Sequence, residues 1–146
     1  MTGQGIEQEQ AARASLWSSV LASTSELSDA RRAAAADLTH AGYSRDLIDD
    51  VNLIVTELTV NALTHGVAGQ VDIDIDRGPT GAGLVITVSH DEGEAVDGFH
   101  TADPPVMAAP SAWAGRGRAI VAAVSDRFET RRQPPGRVEN VVTIHT

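Results

Sequence analysis

Three polar side chains recur at four-residue intervals in the stretch VTELTVNALTHG, residues 55–66: Glu57, Asn61 and His65. Four residues is slightly more than one helical turn, so the three share one side of a helix. The apolar residues Val51, Ile54, Val55, Leu58 and Ala62 also recur at helical spacing and gather on a neighbouring face. Glu57 and Asn61 then fall roughly 80 to 120° from the centre of that face, at the border between core and solvent. A carboxylate one turn from an amide can orient a hydroxyl or a water and offer an oxygen to hydrated Mg²⁺. Boundary residues with a purely structural role fit the same spacing, and a histidine at a helix C-terminus compensates the helix dipole.

What the chain lacks narrows the chemistry. All 11 basic residues are arginine, and the P-loop and protein-kinase designs each need a lysine at the nucleotide phosphates. Lysine Schiff bases, thiol nucleophiles and cysteine-ligated zinc are excluded by the same count, since the chain has no lysine and no cysteine. A metal-dependent hydrolase using Glu57, His65 and one of His90 or His100 stays open. The formal charge of −9 repels phosphate backbones and anionic lipid, which disfavours nucleic acid and membrane surfaces as partners. A protein partner, or a small anion masked by a metal, suits such a field better. No run approaches the roughly 18 apolar residues of a membrane span. The start MTGQGIEQEQ has neither the basic end nor the apolar core of a secretory signal, so the expected location is cytoplasmic.

The elements that would position these residues read as one domain. Residues 1–13 are polar without apolar period and are expected to be a flexible tail, leaving 14–146 as the domain. LWSSVLA (16–22) predicts a strand, and the alanine-rich run from Leu27 to His40 a helix stopped by Gly42. YSRD recaps the chain for a longer helix from Asp46 to His65. The period then changes to two. VDIDID (71–76) and LVITVSH (84–90) predict a hairpin, with Asp72, Asp74 and Asp76 on its wet face. Residues 91–114 have no clear period and are expected to form a lid. GRGRAIVAAVSD predicts a glycine turn opening a third helix, and the last twenty residues two strands around Pro-Pro-Gly. The sum is a two-layer α/β sandwich, helices packed on one face of a mixed, largely antiparallel sheet.

Glycine-rich DEGEA (91–95) follows an apolar strand, and GRGRA (115–119) precedes a helix, where exposed backbone N–H groups suit phosphate. Taken in order, TELTVNALTHG, VITVSHDEG and AGRGRAIV resemble the N box and the two glycine boxes of the GHKL (HATPase_c) superfamily, which has the Bergerat ATPase fold. The likeness runs over roughly residues 16 to 146. It is strongest to the anti-sigma regulatory factors of the serine-protein kinase type common in actinobacteria, whose composition the lysine-free chain also resembles.

The resemblance implies an anti-sigma factor and serine-protein kinase of a partner-switching system, regulating transcription by binding ATP with Mg²⁺ and phosphorylating an anti-sigma factor antagonist. It implies a sigma factor and that antagonist as protein partners, and a homodimer. By the same resemblance Asn61 would hold Mg²⁺ and Glu57 would be the catalytic base. His90 or Asp91 would lie near adenine, with Gly93 in the first glycine turn. Gly115, Arg116, Gly117, Arg118 and Ala119 would meet the phosphates, and His65 would line the cleft. Strand alternation puts His90 on the face of Ile86 and Val88, and Asp91 on the other. Ala95 replaces a glycine of the first box, and ENVV (139–142) lacks the hydroxyl residues the family often has there. A second reading follows from those departures: a regulator of the same fold that acts by protein binding alone, without phosphotransfer.

Overall fold

The computed structural model describes residues 15–65, 69–78, 83–92, 113–134 and 136–145. The expected tail, most of the expected lid, Gly93, Ala95 and His100 lie outside them. The elements in chain order are β1 (Ser15–Leu21), a short 3₁₀ turn (Thr24–Glu26), α1 (Leu27–His40), α2 (Arg45–His65), β2 (Val71–Arg77), β3 (Leu84–Asp91), α3 (Trp113–Val124), β4 (Arg127–Gln133) and β5 (Arg137–Ile144).

The α1–α2 turn follows from its sequence. Gly42 takes φ +94°, a left-handed conformation that glycine reaches without a Cβ penalty. The Tyr43 N–H then donates to the Leu38 carbonyl at 3.1 Å and the Gly42 N–H to the Thr39 carbonyl at 3.0 Å. This is the six-to-one and five-to-two pairing of a Schellman end, with Leu38 and the half-buried Tyr43 packed into the same core. Ser44 starts α2 at once, its Oγ accepting from the Leu47 N–H at 3.2 Å. The second helix thereby leaves the first within four residues.

The five strands form one sheet in the order β1-β2-β3-β5-β4. The expected predominance of antiparallel pairing extends to all four neighbouring pairs. The chain leaves β3, crosses through α3 to β4 at the sheet edge, and returns as β5 between them. Along β2, Val71, Ile73 and Ile75 are fully buried toward the helices, while Asp72, Asp74 and Asp76 line the opposite face as their alternation predicted. The core lies between that buried sheet face and the helices. From α2 it takes Val51, Ile54, Val55, Leu58 and Ala62, and from the sheet Ile73, Ile75, Leu84, Ile86, Val88 and Val142. The two-layer α/β sandwich is thus the observed architecture. Among the described residues no helix is long and apolar enough to cross a membrane.

The third helix departs from expectation at its start. It begins at Trp113, so Gly115–Arg118 occupy its first turns instead of a turn ahead of it. A helical glycine costs about 1 kcal/mol against alanine, and the reason it is tolerated at position 117 is a close contact described below.

Truncating the fully buried Ile54 to alanine is expected to cost about 2–5 kcal/mol in urea unfolding. Gly42→Ala, which meets no atom within 4 Å, should lose only the backbone term of about 1–2 kcal/mol. Val20→Ala, at an exposed edge position, should stay within about 0.5 kcal/mol of wild type.

Candidate functional site

Helix α2 ends at His65, and β2 begins at Val71, whose register partner on β3 is His90. The C-terminal half of α2 and the C-terminal end of β3 therefore lie at the same end of the sandwich. Glu57 and Asn61 are half-buried there, at the margin of the apolar stripe, as their helical angle required. Helix α3 packs against this part of α2. A Cβ built on Gly117 would lie 2.6 Å from Glu57 Oε2, so the missing side chain is what lets the carboxylate rest against the α3 backbone. The neighbouring hydroxyls do not compete for it. Thr56 and Thr64 each donate to the carbonyl four residues back, at 2.7 Å.

The sheet beneath turns from apolar to polar toward this end. One register row runs Val88, Asn140, Thr130, and the next His90, Val138, Arg132. Asn140 is 2% exposed, and its Oδ1 accepts from Thr130 Oγ1 at 2.9 Å and from Arg118 Nη1 at 3.1 Å. Arg118 Nη2 also donates to Thr130 Oγ1 at 2.6 Å, and its guanidinium lies 4.9 Å from the Phe128 ring centroid. Burial works against this charge and lowers the arginine's pKa, while the two oxygens and the ring face offset that loss.

His90 occupies the helix-facing side of β3, as alternation from Ile86 and Val88 predicts, and β3 runs without a bulge. Its Nε2 lies 3.2 Å from Glu92 Oε1, and Arg132 Nη1 donates to Glu92 Oε2 at 3.2 Å. Burial holds the imidazole below its ordinary pKa against the upward pull of Glu92, with Arg137 and Arg132 pushing further down. His90 Nδ1 is buried without a hydrogen-bond partner among the described residues.

The candidate residues do not all converge. Glu57 and Gly117 come together between α2 and α3, Asn61 follows half-buried one turn further along α2, and His90 sits at the same end of the sheet. Asp91 is exposed on the opposite sheet face, where Arg137 bridges it to Asp72. Arg118 turns onto β4 and β5 because a helix already under way at Trp113 aims its second turn at the sheet. Ala119 is half-buried in the same helix. His65, Gly115 and Arg116 belong to helix ends whose side chains lie outside the described residues. Gly93 lies outside them altogether. Among the described residues no three His, Asp or Glu side chains gather as a metal site.

Asn140, Thr130, Glu92 and Arg132 had not been singled out. The signal for Asn140 was present: in RVENVVTI it takes the phase of Val138, Val142 and Ile144, a polar residue in the buried register of a strand. Val141 faces away from the helices, into a groove of about 340 Å³ that it shares with Val85, Thr87 and Thr143. ENVV therefore presents its asparagine to the site, and the hydroxyl beside it comes from Thr130 on β4.

A nucleotide with Mg²⁺ fits these residues chemically. Asn61 offers an amide oxygen, Glu57 a carboxylate held at a glycine, and His90 a buried nitrogen still seeking a partner.

The family described as Histidine kinase-like ATPase domain matches residues 20–145, a span that includes every one of these positions. No curated protein matches the chain. Among solved structures, a chain in the crystal structure of the SiaB-SiaC complex from Pseudomonas aeruginosa superposes with a TM-score of 0.72. That likeness is one of fold, at 14% sequence identity over 98% of this chain and 97% of the other. With the family match running from the end of β1 through β5 and over all three helices, the chain belongs to the histidine kinase-like ATPase domain family.

Proposed function

We propose that this ATPase-family domain is an anti-sigma factor and serine-protein kinase of a partner-switching system. It binds ATP with Mg²⁺ at the end of the sandwich formed by α2, α3 and β3, and phosphorylates a serine of an anti-sigma factor antagonist. The observation that carries the reading is the Glu57 carboxylate seated at Gly117 with Asn61 one turn on, in a chain of this family.

When bound, ATP supplies the transferable phosphoryl group, and Mg²⁺ supplies the positive charge that an acidic, lysine-free chain does not. Asn61 would hold the metal through its amide oxygen. Glu57 would orient the acceptor hydroxyl and accept its proton, and the rigid α2–α3 contact would keep that carboxylate from swinging away. Arg118, already tied to Asn140 and Thr130, would fix α3 on the sheet so that its glycine-containing turns keep their place.

Protein partners suit the charge of −9 and accord with a similar chain having been solved in a complex of two proteins. In this reading the chain holds either a sigma factor or the unphosphorylated antagonist, and phosphate on the antagonist breaks the second complex by charge and crowding. The edge strand β1, with Val20 54% exposed, would serve a homodimer. A second reading, a regulator that binds partners without phosphotransfer, is favoured by Arg118, whose guanidinium is engaged with the sheet instead of being free for phosphates.

Calorimetry decides the first step. The wild type should bind ATP only with Mg²⁺, chelation should release the nucleotide, and Asn61→Ala should weaken binding at least about tenfold. A folded wild type that binds no nucleotide under either condition overturns the kinase reading.

Glu57→Gln should retain ATP but slow phosphoserine formation on the antagonist by about 10²–10⁴-fold. Gly117→Ala places a methyl against Glu57 Oε2 and should displace the carboxylate, giving a similar kinetic loss in a protein whose circular dichroism is unchanged. Unaltered phosphotransfer in both variants would remove Glu57 from the chemistry.

A further inference from the structure

The two edges of the sheet are built differently. β4 carries Arg127, Glu129, Arg131 and Arg132, and Glu129 ties Arg127 and Arg131 along the strand. Charge of that density discourages another chain from pairing there. β1, at the other edge, reads Ser-Leu-Trp-Ser-Ser-Val-Leu, with no charge and no proline. Its irregularity is confined to the step from Ser15 to Trp17, and Trp17–Leu21 run in continuous register with β2. An edge strand directs the N–H and C=O groups of alternate residues away from its sheet, and among the described residues no strand meets those of β1.

The two faces beside that edge differ in chemistry. Toward the helices, Leu21 is buried and Trp17 is half-buried against the core, so a strand laid beside them would extend an apolar surface. On the opposite face one register row runs Ser18, Asp74, Thr87 and the next Val20, Asp72, Ser89. Asp72 is bonded to Arg137, whereas Asp74 has no ion-pair partner among the described residues. Burial raises the Asp74 pKa and the neighbouring Asp72 charge adds to it, as befits a carboxylate without a compensating cation. A strand added to β1 would lie roughly 10 Å from β2, two strand spacings away. The short, exposed Ser18 leaves a long basic side chain free to cross that gap to Asp74.

We propose that β1 is the docking edge for an extended segment of a protein partner, which adds to the sheet as a further strand with basic residues at every second position on the Asp74 face and apolar residues between them beside Trp17 and Leu21. Main-chain hydrogen bonds to β1 supply the affinity, and the aspartate row selects the sign of the partner's charge. The inference goes beyond the kinase reading and needs no nucleotide. It assigns to a partner strand the edge that a homodimer would otherwise use.

The test uses the full chain without nucleotide and a peptide of alternating arginine and valine, as long as β1. Its controls are the glutamate–valine counterpart and two versions of the first peptide methylated on the backbone nitrogens of alternate residues, one in each phase. Calorimetry should show binding of the arginine–valine peptide, with the glutamate–valine peptide at least about tenfold weaker. Methylation in the phase that faces β1 should abolish binding, and methylation in the other phase should leave it unchanged. Hydrogen exchange should slow at alternate amides of Trp17–Leu21 when the peptide is bound. Asp74→Asn should weaken the peptide by about two- to fivefold. Ser18→Lys, which gives β1 the kind of guard that β4 has, should prevent binding at an unchanged melting temperature. Equal effects of the two methylation phases overturn strand addition, and equal binding of the arginine and glutamate peptides overturns the basic partner. β1 amides that are protected in the free chain, with no peptide bound, overturn the proposal as well, since a second copy or residues 1–14 then hold the edge.

Discussion

Burial of a single stripe of α2 against the sheet is the constraint from which the rest of the molecule follows. Val51, Ile54, Val55 and Leu58 are each at most 1% exposed, so the rotation of that helix about its axis is fixed. With the rotation fixed, Glu57 and Asn61 have no choice but the margin of the interface. Helix α3 must then approach along that margin, and the approach is possible because position 117 has no side chain to meet the carboxylate. Turning α2 by one residue would bury the carboxylate or expose the valines, and neither is affordable in a core of this size.

The sheet imposes a second gradient. Its helix-facing surface is apolar through Ile73, Ile75, Ile86 and Val142 and becomes polar at Asn140, Thr130, His90 and Arg132. Those polar groups bond in two sets, Asn140 and Thr130 with Arg118, and His90 and Arg132 with Glu92. A set of that kind is stiff, since moving one member leaves another unpaired in a low-dielectric surrounding.

Much of this could be read before any coordinates. The two long helices, their caps at Gly42 and Ser44, the alternation of β2 and the placement of His90 all come from local rules whose period is decided by neighbouring residues. Glu57 and Asn61 were legible because a helical wheel locates a boundary without knowledge of what lies across it. The helical state of Gly115–Arg118 was not. Isolated glycines argue for a turn, and only the contact with a carboxylate sixty residues earlier in sequence reverses that preference. The bonds of Arg118 to Asn140 and Thr130 were equally out of reach, because those partners are supplied by strands that the local sequence does not mention. Asp91 could be placed by parity, yet its tie to Arg137 needed the pairing of β3 with β5.

The position of β5 has a consequence for how the chain matures. It is the last described strand to be synthesised, and it is an interior strand of the sheet, bonded to β3 on one side and β4 on the other. Until Arg137–Ile144 has emerged from the ribosome, β3 offers an open hydrogen-bonding edge and β4 has no sheet to join. The folding nucleus must therefore rely on β1, β2, β3 and the first two helices, with sheet closure coming as a late, long-range event. Asn140 travels on that strand, so the polar network beneath α3 is completed in the same step that removes the vulnerable edge.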